Sequence, residues 1–239
     1  MRKTRLGLIA MTASLVLGSV ISLGSLLVSG GQLDTEAMTR QVVSPQTVLV
    51  TCLDPLTIGL EIAAIVLIVR SRHHFGGGHP RLAVWAAILY VAWAAANLLG
   101  FLPLSIVGMM RGSRPLLLAG QWVKTSSAAL AFAVPALLVF GLSSKPQRLL
   151  LGLALLLSLA GSLGNLALTI GQLEMQPITT GGQTLYVPKW DVDYTAGPYP
   201  ALVTASHVGG FLYLLAYAWL AWRMRSPGGR APAEEASAA

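Results

Sequence analysis

Six long runs of apolar residues, separated by short polar or basic stretches, make up most of the chain. They lie near Leu6–Ser29, Val48–Val69, Leu82–Met110, Pro115–Leu142, Leu149–Gly171 and Tyr199–Trp222. Each is long enough for the roughly 20 helical residues that cross a hydrocarbon core. The runs are continuously apolar and lack the alternation of barrel strands, which predicts helices. The expected fold is therefore all-α, a polytopic transmembrane helical bundle with six spans. Residues 1–225 read as one transmembrane domain. Residues 226–239, SPGGRAPAEEASAA, read as a disordered tail. The first run follows a basic start as a signal peptide would, but it is long and no Ala-x-Ala site follows, so it is expected to remain as a span.

The composition agrees with the pattern. Of 239 residues, 54% are hydrophobic and only 10% charged, against the roughly 25% charge of soluble domains. The formal charge of +7 would suit a nucleic-acid binder in a soluble chain. Its distribution gives it another meaning. With the N-terminus inside, the inner segments carry Arg2, Lys3, Arg5, Arg70, Arg72, Arg81, Lys145, Arg148, Arg223, Arg225 and Arg230. The outer segments carry Arg40, Arg111, Arg114 and Lys189. Eleven against four is the asymmetry of cytoplasmic loops, so both termini are expected inside and nucleic acid is not an expected partner. The expected location is a cell membrane, multi-pass, of the bacterial cytoplasmic (inner) kind, with membrane lipids as partners.

Polar groups in hydrocarbon are expensive and mark the first places to look for function. The second run holds Asp54 and Glu61, seven residues apart and hence on one helix face. Glu61 stands nine residues before Arg70, about 14 Å from the inner interface and close to mid-membrane. Lys124 in the fourth run and His207 in the sixth lie toward the outer ends of their helices. Asp54, Lys124 and His207 are expected to share a layer, with Asp54 and Lys124 compensating one another and His207 suited to carry protons. These four residues form the candidate binding site. The bland reading of Asp54 and Lys124 is that they reach headgroups, Lys124 by snorkelling, and that of Glu61 is a protonated acid bonded within the bundle.

Asn97 and Asn165 read as interhelical hydrogen-bonding residues. Pro55, Pro103 and Pro135 should disturb their helices and free carbonyls that need donors. Gly152, Gly161 and Gly164 permit close helix packing. The inner loop RSRHHFGGGHPR (70–81) reads as a solvated basic loop, not a metal site, despite His73, His74 and His79. The connection 172–198, with Tyr186, Trp190, Asp191, Asp193 and Tyr194, reads as an interfacial aromatic segment. Residues 22–34 and 162–174 share seven of thirteen positions, a possible trace of a duplicated hairpin.

Cys52 is the only cysteine, which excludes an intramolecular disulfide. No Walker loop and no H-E-x-x-H motif occurs. No catalytic residue, metal or cofactor is expected. Ala205–Phe211, ASHVGGF, resembles the histidine helix of rhomboid intramembrane proteases. That resemblance implies a Ser127/His207 dyad, but Thr125-Ser126-Ser127-Ala128 lacks both glycines of the family's Gly-x-Ser-Gly motif. The leading expectation is small-solute or ion transport or sensing through the polar site. A structural or anchoring subunit of a membrane complex is the alternative, with other membrane subunits as partners, and an intramembrane serine hydrolase is the remote one.

Overall fold

The computed structural model describes residues 2–29, 45–74, 79–180, 183–190 and 196–224. The expected tail (226–239) and Asp191, Asp193 and Tyr194 lie outside them, as do residues 30–34 of the repeat and the side chain of Cys52. Six long helical segments follow the six apolar runs. They are α1 (Arg2–Ser29), α2 (Pro45–Ser71), α3 (His79–Arg111), α4 (Arg114–Phe140), α5 (Lys145–Thr169) and α6 (Tyr199–Arg223). Among the described residues five of these, all but α2, are long and apolar enough to cross a membrane. α2 has comparable length but carries Asp54, Glu61 and Arg70.

Local sequence explains the helix ends. Proline stands in the first turn of α4, α5 and α6, where its missing N–H costs nothing. α5 also starts with a capping box in which the Ser144 amide donates to Gln147 Oε1 at 2.9 Å. α3 ends at Gly112 in the left-handed region, φ 62°, a conformation that costs glycine little. Arginines finish other ends. Arg148 Nε donates to the Phe140 and Ser143 carbonyls, and Arg72 Nη1 to the Val69 carbonyl.

α3 is not one regular helix. Between His79–Ala95 and Leu102–Arg111 the chain widens into a π-type turn over Ala96–Phe101. The Leu102 amide there bonds the Asn97 carbonyl, five residues back. Pro103 explains it: a proline inside a helix has no N–H and crowds the carbonyl four residues earlier, and an extra residue per turn relieves both problems. α2 runs through Pro55 without a break.

The helices pack in chain order, each on its neighbours, and α6 closes the ring on α1. The pairs α1–α2 and α5–α6 pack most extensively, and α2–α3 least of the neighbouring pairs. Small residues set the close approaches. A methyl group on Gly7 would meet Ile68 at 2.8 Å, and one on Gly161 would meet the Leu202 carbonyl at 2.6 Å. Gly164 faces Leu202 in the same way, whereas Gly152 has open space in front of it.

The core lies at one end of the ring. Leu8, Ile68, Ala86, Leu138, Leu151 and Leu220, one from each helix, are at most 2% exposed and belong to a single cluster. All are on the half of the bundle that carries Arg2, Arg70, Arg81, Arg148 and Arg223. Exposed tryptophans flank the apolar belt, with Trp85, Trp219 and Trp222 toward this end and Trp122 toward the other.

Two expectations need correction. The connection after α5 is not wholly irregular: β1 (Leu173–Thr180) and β2 (Gln183–Trp190) form an antiparallel hairpin with Leu173 opposite Trp190 and Thr180 opposite Gln183. Its β-branched and aromatic residues suit a strand, and it docks on the end of α3, with the Tyr186 ring over Gly112. His79 is not a solvated loop residue. It opens α3, is 1% exposed and packs against Gly141. His73, by contrast, is exposed.

Candidate functional site

In an apolar environment a hydroxyl most cheaply bonds a carbonyl of its own helix. Most described hydroxyls do so: Thr12 bonds Leu8, Ser19 bonds Leu15, Thr57 bonds Leu53 and Thr169 bonds Asn165. Ser14 is different. It is 1% exposed, and its Oγ reaches across to α2, 3.3 Å from both the Thr57 carbonyl and Glu61 Oε1. On the other side, Tyr90 of α3 donates its hydroxyl to Glu61 Oε2 at 3.3 Å. The carboxylate of Glu61 thus joins three helices at mid-length.

One of the two partners of Glu61 belongs to an aromatic pair. Tyr90 packs on Trp93, with ring centroids 5.3 Å apart and planes tilted by 48°. The hydrogen-bond partners of Glu61 are the two hydroxyls, and among the described residues no Lys, Arg or His bonds to it. Glu61 is only partly buried and meets Tyr90 across the α2–α3 seam, where helix packing is thinnest among the neighbouring pairs.

Below this layer the proline of α4 has been accommodated. Pro135 has no N–H for the Ala131 carbonyl, and the helix runs through it unbroken. Tyr213 donates to the Phe132 carbonyl and Tyr217 to the Pro135 carbonyl, each at 2.7 Å. The freed carbonyl was legible from Pro135. Tyr213 and Tyr217 bond carbonyls beside the freed one and not Ala131's own, and nothing in their spacing says which helix they face.

The remaining candidates do not gather around Glu61 as direct partners. Asp54 is exposed on α2, two turns from Glu61 on the same face. Lys124 is exposed on α4, and its Nζ lies 5.1 Å from the Phe101 ring centroid. Asp54 and Lys124 form no ion pair. His207 is partly buried, with Nδ1 2.7 Å from the Val203 carbonyl one turn back.

A second polar contact joins α3 to α4. Asn97, in the widened turn, donates from Nδ2 to the Trp93 carbonyl and to Ser127 Oγ at 3.2 Å. Ser127 is 5% exposed and donates to the Lys124 carbonyl at 2.9 Å. No hydrogen bond joins Ser127 to His207. Asn97 therefore does bond across helices, as its sequence position suggested. No group of three or more His, Cys, Asp or Glu positioned to hold a metal occurs among the described residues. The chain matches no family model, no curated protein and no solved structure.

Proposed function

We propose that this chain is a multi-pass protein of a bacterial cytoplasmic membrane, with both termini on the cytoplasmic side. It moves or senses a small solute or ion at a polar site centred on Glu61. The observation that supports the reading is a mid-helix carboxylate bonded by Ser14 and Tyr90 and by no basic residue. A charged residue at the centre of a membrane helix costs about 2.5–3.5 kcal/mol on insertion scales. Two neutral hydroxyls orient a carboxylate but leave its charge uncancelled. A proton or a cation cancels it, and exchange of one for another is the elementary step of carriers and sensors.

The packing supports a direction of access. Among the described residues, buried side chains from all six helices meet in the half bearing the basic ends, which supports an approach to Glu61 from the half that holds Asp54. Asp54, two turns away on the same face, would draw cations toward that entrance. Lys124 and His207 stand further out as candidate residues of the same entrance.

Reconstitution into liposomes tests the reading. The native protein should catalyse a cation or proton flux, or gain thermal stability with its ligand, and Glu61→Gln should abolish either effect. Equal flux and equal ligand stabilisation in Glu61→Gln would sink it.

A further inference from the structure

The oxygens on one side of Glu61 outnumber the protons that could bond them. Ser14 Oγ lies 3.3 Å from both the Thr57 carbonyl oxygen and Glu61 Oε1. Its single O–H serves only one of them at a time, while an ionised carboxylate only accepts and a helical carbonyl keeps a second lone pair. The spacing is also unlike that of hydrogen bonds elsewhere in the bundle. The other hydroxyls that donate to a neighbouring helix do so at 2.7 Å: Thr4 to Ser71, Tyr213 to the Phe132 carbonyl and Tyr217 to the Pro135 carbonyl. Around Glu61 the contacts of Ser14 and Tyr90 are all 3.3 Å, past the usual O–H···O range of about 2.5–3.0 Å. Oxygens held about 2.3–2.6 Å from one ion lie about 3.3–3.7 Å apart when they subtend a right angle at it. Ser14 Oγ therefore stands from its two acceptors as one ligand stands from the next in a coordination shell.

We propose that Glu61 Oε1, Ser14 Oγ and the Thr57 carbonyl bind a sodium ion, with the Tyr90 hydroxyl holding the other carboxylate oxygen in place. The proposal rests on the reading of Glu61 as the working group and adds the ion. Charge sets the valence: one carboxylate among neutral oxygens cancels one positive charge, and a divalent ion would leave a net charge where charge is expensive. No group of three or more His, Cys, Asp or Glu that could hold a metal occurs among the described residues, so a divalent ion has no matching set. Size sets the element, because sodium takes oxygens at the distances of this shell and potassium takes longer ones. With the ion bound, Ser14 turns its O–H to a carbonyl of its own helix, the bond that Thr12 and Ser19 already make. Water completes the shell on the partly exposed side of Glu61.

The test is equilibrium dialysis of radioactive sodium against the purified full-length protein in nanodiscs, with choline chloride holding the ionic strength constant. Sodium should bind saturably, at one site per chain. Lithium should displace it, and potassium only at concentrations at least about tenfold higher. Glu61→Gln should abolish binding. Ser14→Ala keeps the carboxylate and Tyr90 but removes a ligand oxygen, and should weaken sodium binding about tenfold. Tyr90→Phe leaves all three ligand oxygens and should weaken it no more than about threefold. Simple attraction of cations to a carboxylate gives a different pattern, with little selectivity for sodium over potassium and no loss in Ser14→Ala.

Binding by the native protein that does not saturate, or that potassium displaces as well as lithium does, overturns the proposal whether or not the variants fold. So does native affinity in Ser14→Ala. If those results coincide with a Glu61-dependent flux of protons or of another solute in liposomes, the sodium inference fails and the reading of Glu61 stands. If the flux is also independent of Glu61, both fail.

Discussion

The two halves of this bundle are built differently. In the half bearing Arg2, Arg70 and Arg223, buried side chains from all six helices form one cluster, including Leu8, Ile68, Leu151 and the fully buried Tyr217. In the other half, among the described residues, burial occurs mainly within pairs of helices. Gly108 fits against Leu117 between α3 and α4, and Gly161 and Gly164 against Leu202 between α5 and α6. Buried polar contacts occur in both halves: Thr4 donates to Ser71 near the basic end, and the candidate-site residues stand at the boundary and beyond. Glu61, Ser14 and Tyr90 occupy mid-length, and Asn97 and Ser127 stand one layer further out. Among the described residues, this difference in packing supports the proposed approach to Glu61 from the half that holds Asp54. Asymmetry of packing, rather than the number of charges, makes Glu61 the residue to test.

The largest expected effect separates the halves directly. Leu151→Ala removes a fully buried side chain from the six-helix cluster and should cost about 2–5 kcal/mol. Leu163→Ala, on the same helix but 43% exposed, should stay within about 0.5 kcal/mol. Reversible unfolding in mixed detergent and SDS checks both, and equal costs would erase the distinction. Next comes the boundary at Pro135. Tyr217→Phe leaves the ring in place but withdraws the donor from the Pro135 carbonyl, with an expected loss of about 1–3 kcal/mol. The same assay reads it, and a loss below about 0.3 kcal/mol would show that the carbonyl finds another donor.

The smallest effect is expected where the sequence invited the most interest. Asp54 and Lys124 are both exposed and unpaired with each other, so a double-mutant cycle with Asp54→Asn and Lys124→Met should give a coupling below about 0.3 kcal/mol. Coupling above about 1 kcal/mol would mean that the two charges meet and that the outer half closes.

Much of the architecture was legible along the chain because a bilayer imposes its own period. A helix must be apolar for its whole crossing, so the runs from Leu6, Pro115, Leu149 and Tyr199 locate α1, α4, α5 and α6 to within a few residues. Prolines in first turns and Gly112 gave the ends for equally local reasons. The β1–β2 hairpin was missed because β1 and β2 are short and carry Pro177 and Pro188, which argue against strands in a larger sheet but are tolerated in a pair with two free edges. The widened turn at Ala96–Phe101 is a compensation for Pro103, and sequence predicts the disturbance without its form.

For the candidate site the division is sharper. Sequence singled out Glu61 because a mid-span acid is costly wherever it points, and it singled out Asn97 for the same reason. It could not supply Ser14 or Tyr90, which look like ordinary residues of apolar helices until rotation about the helix axis is known. Nor could it say that Asp54, Lys124 and His207 stay apart from Glu61's direct partners. Depth in the membrane is set by residue number, through a fixed rise per residue, and the sequence by itself determined it. Azimuth around each helix is set by which faces pack, and in a chain that is apolar on every side no periodicity marks those faces. Only the tertiary structure decided which residues at one depth look at one another.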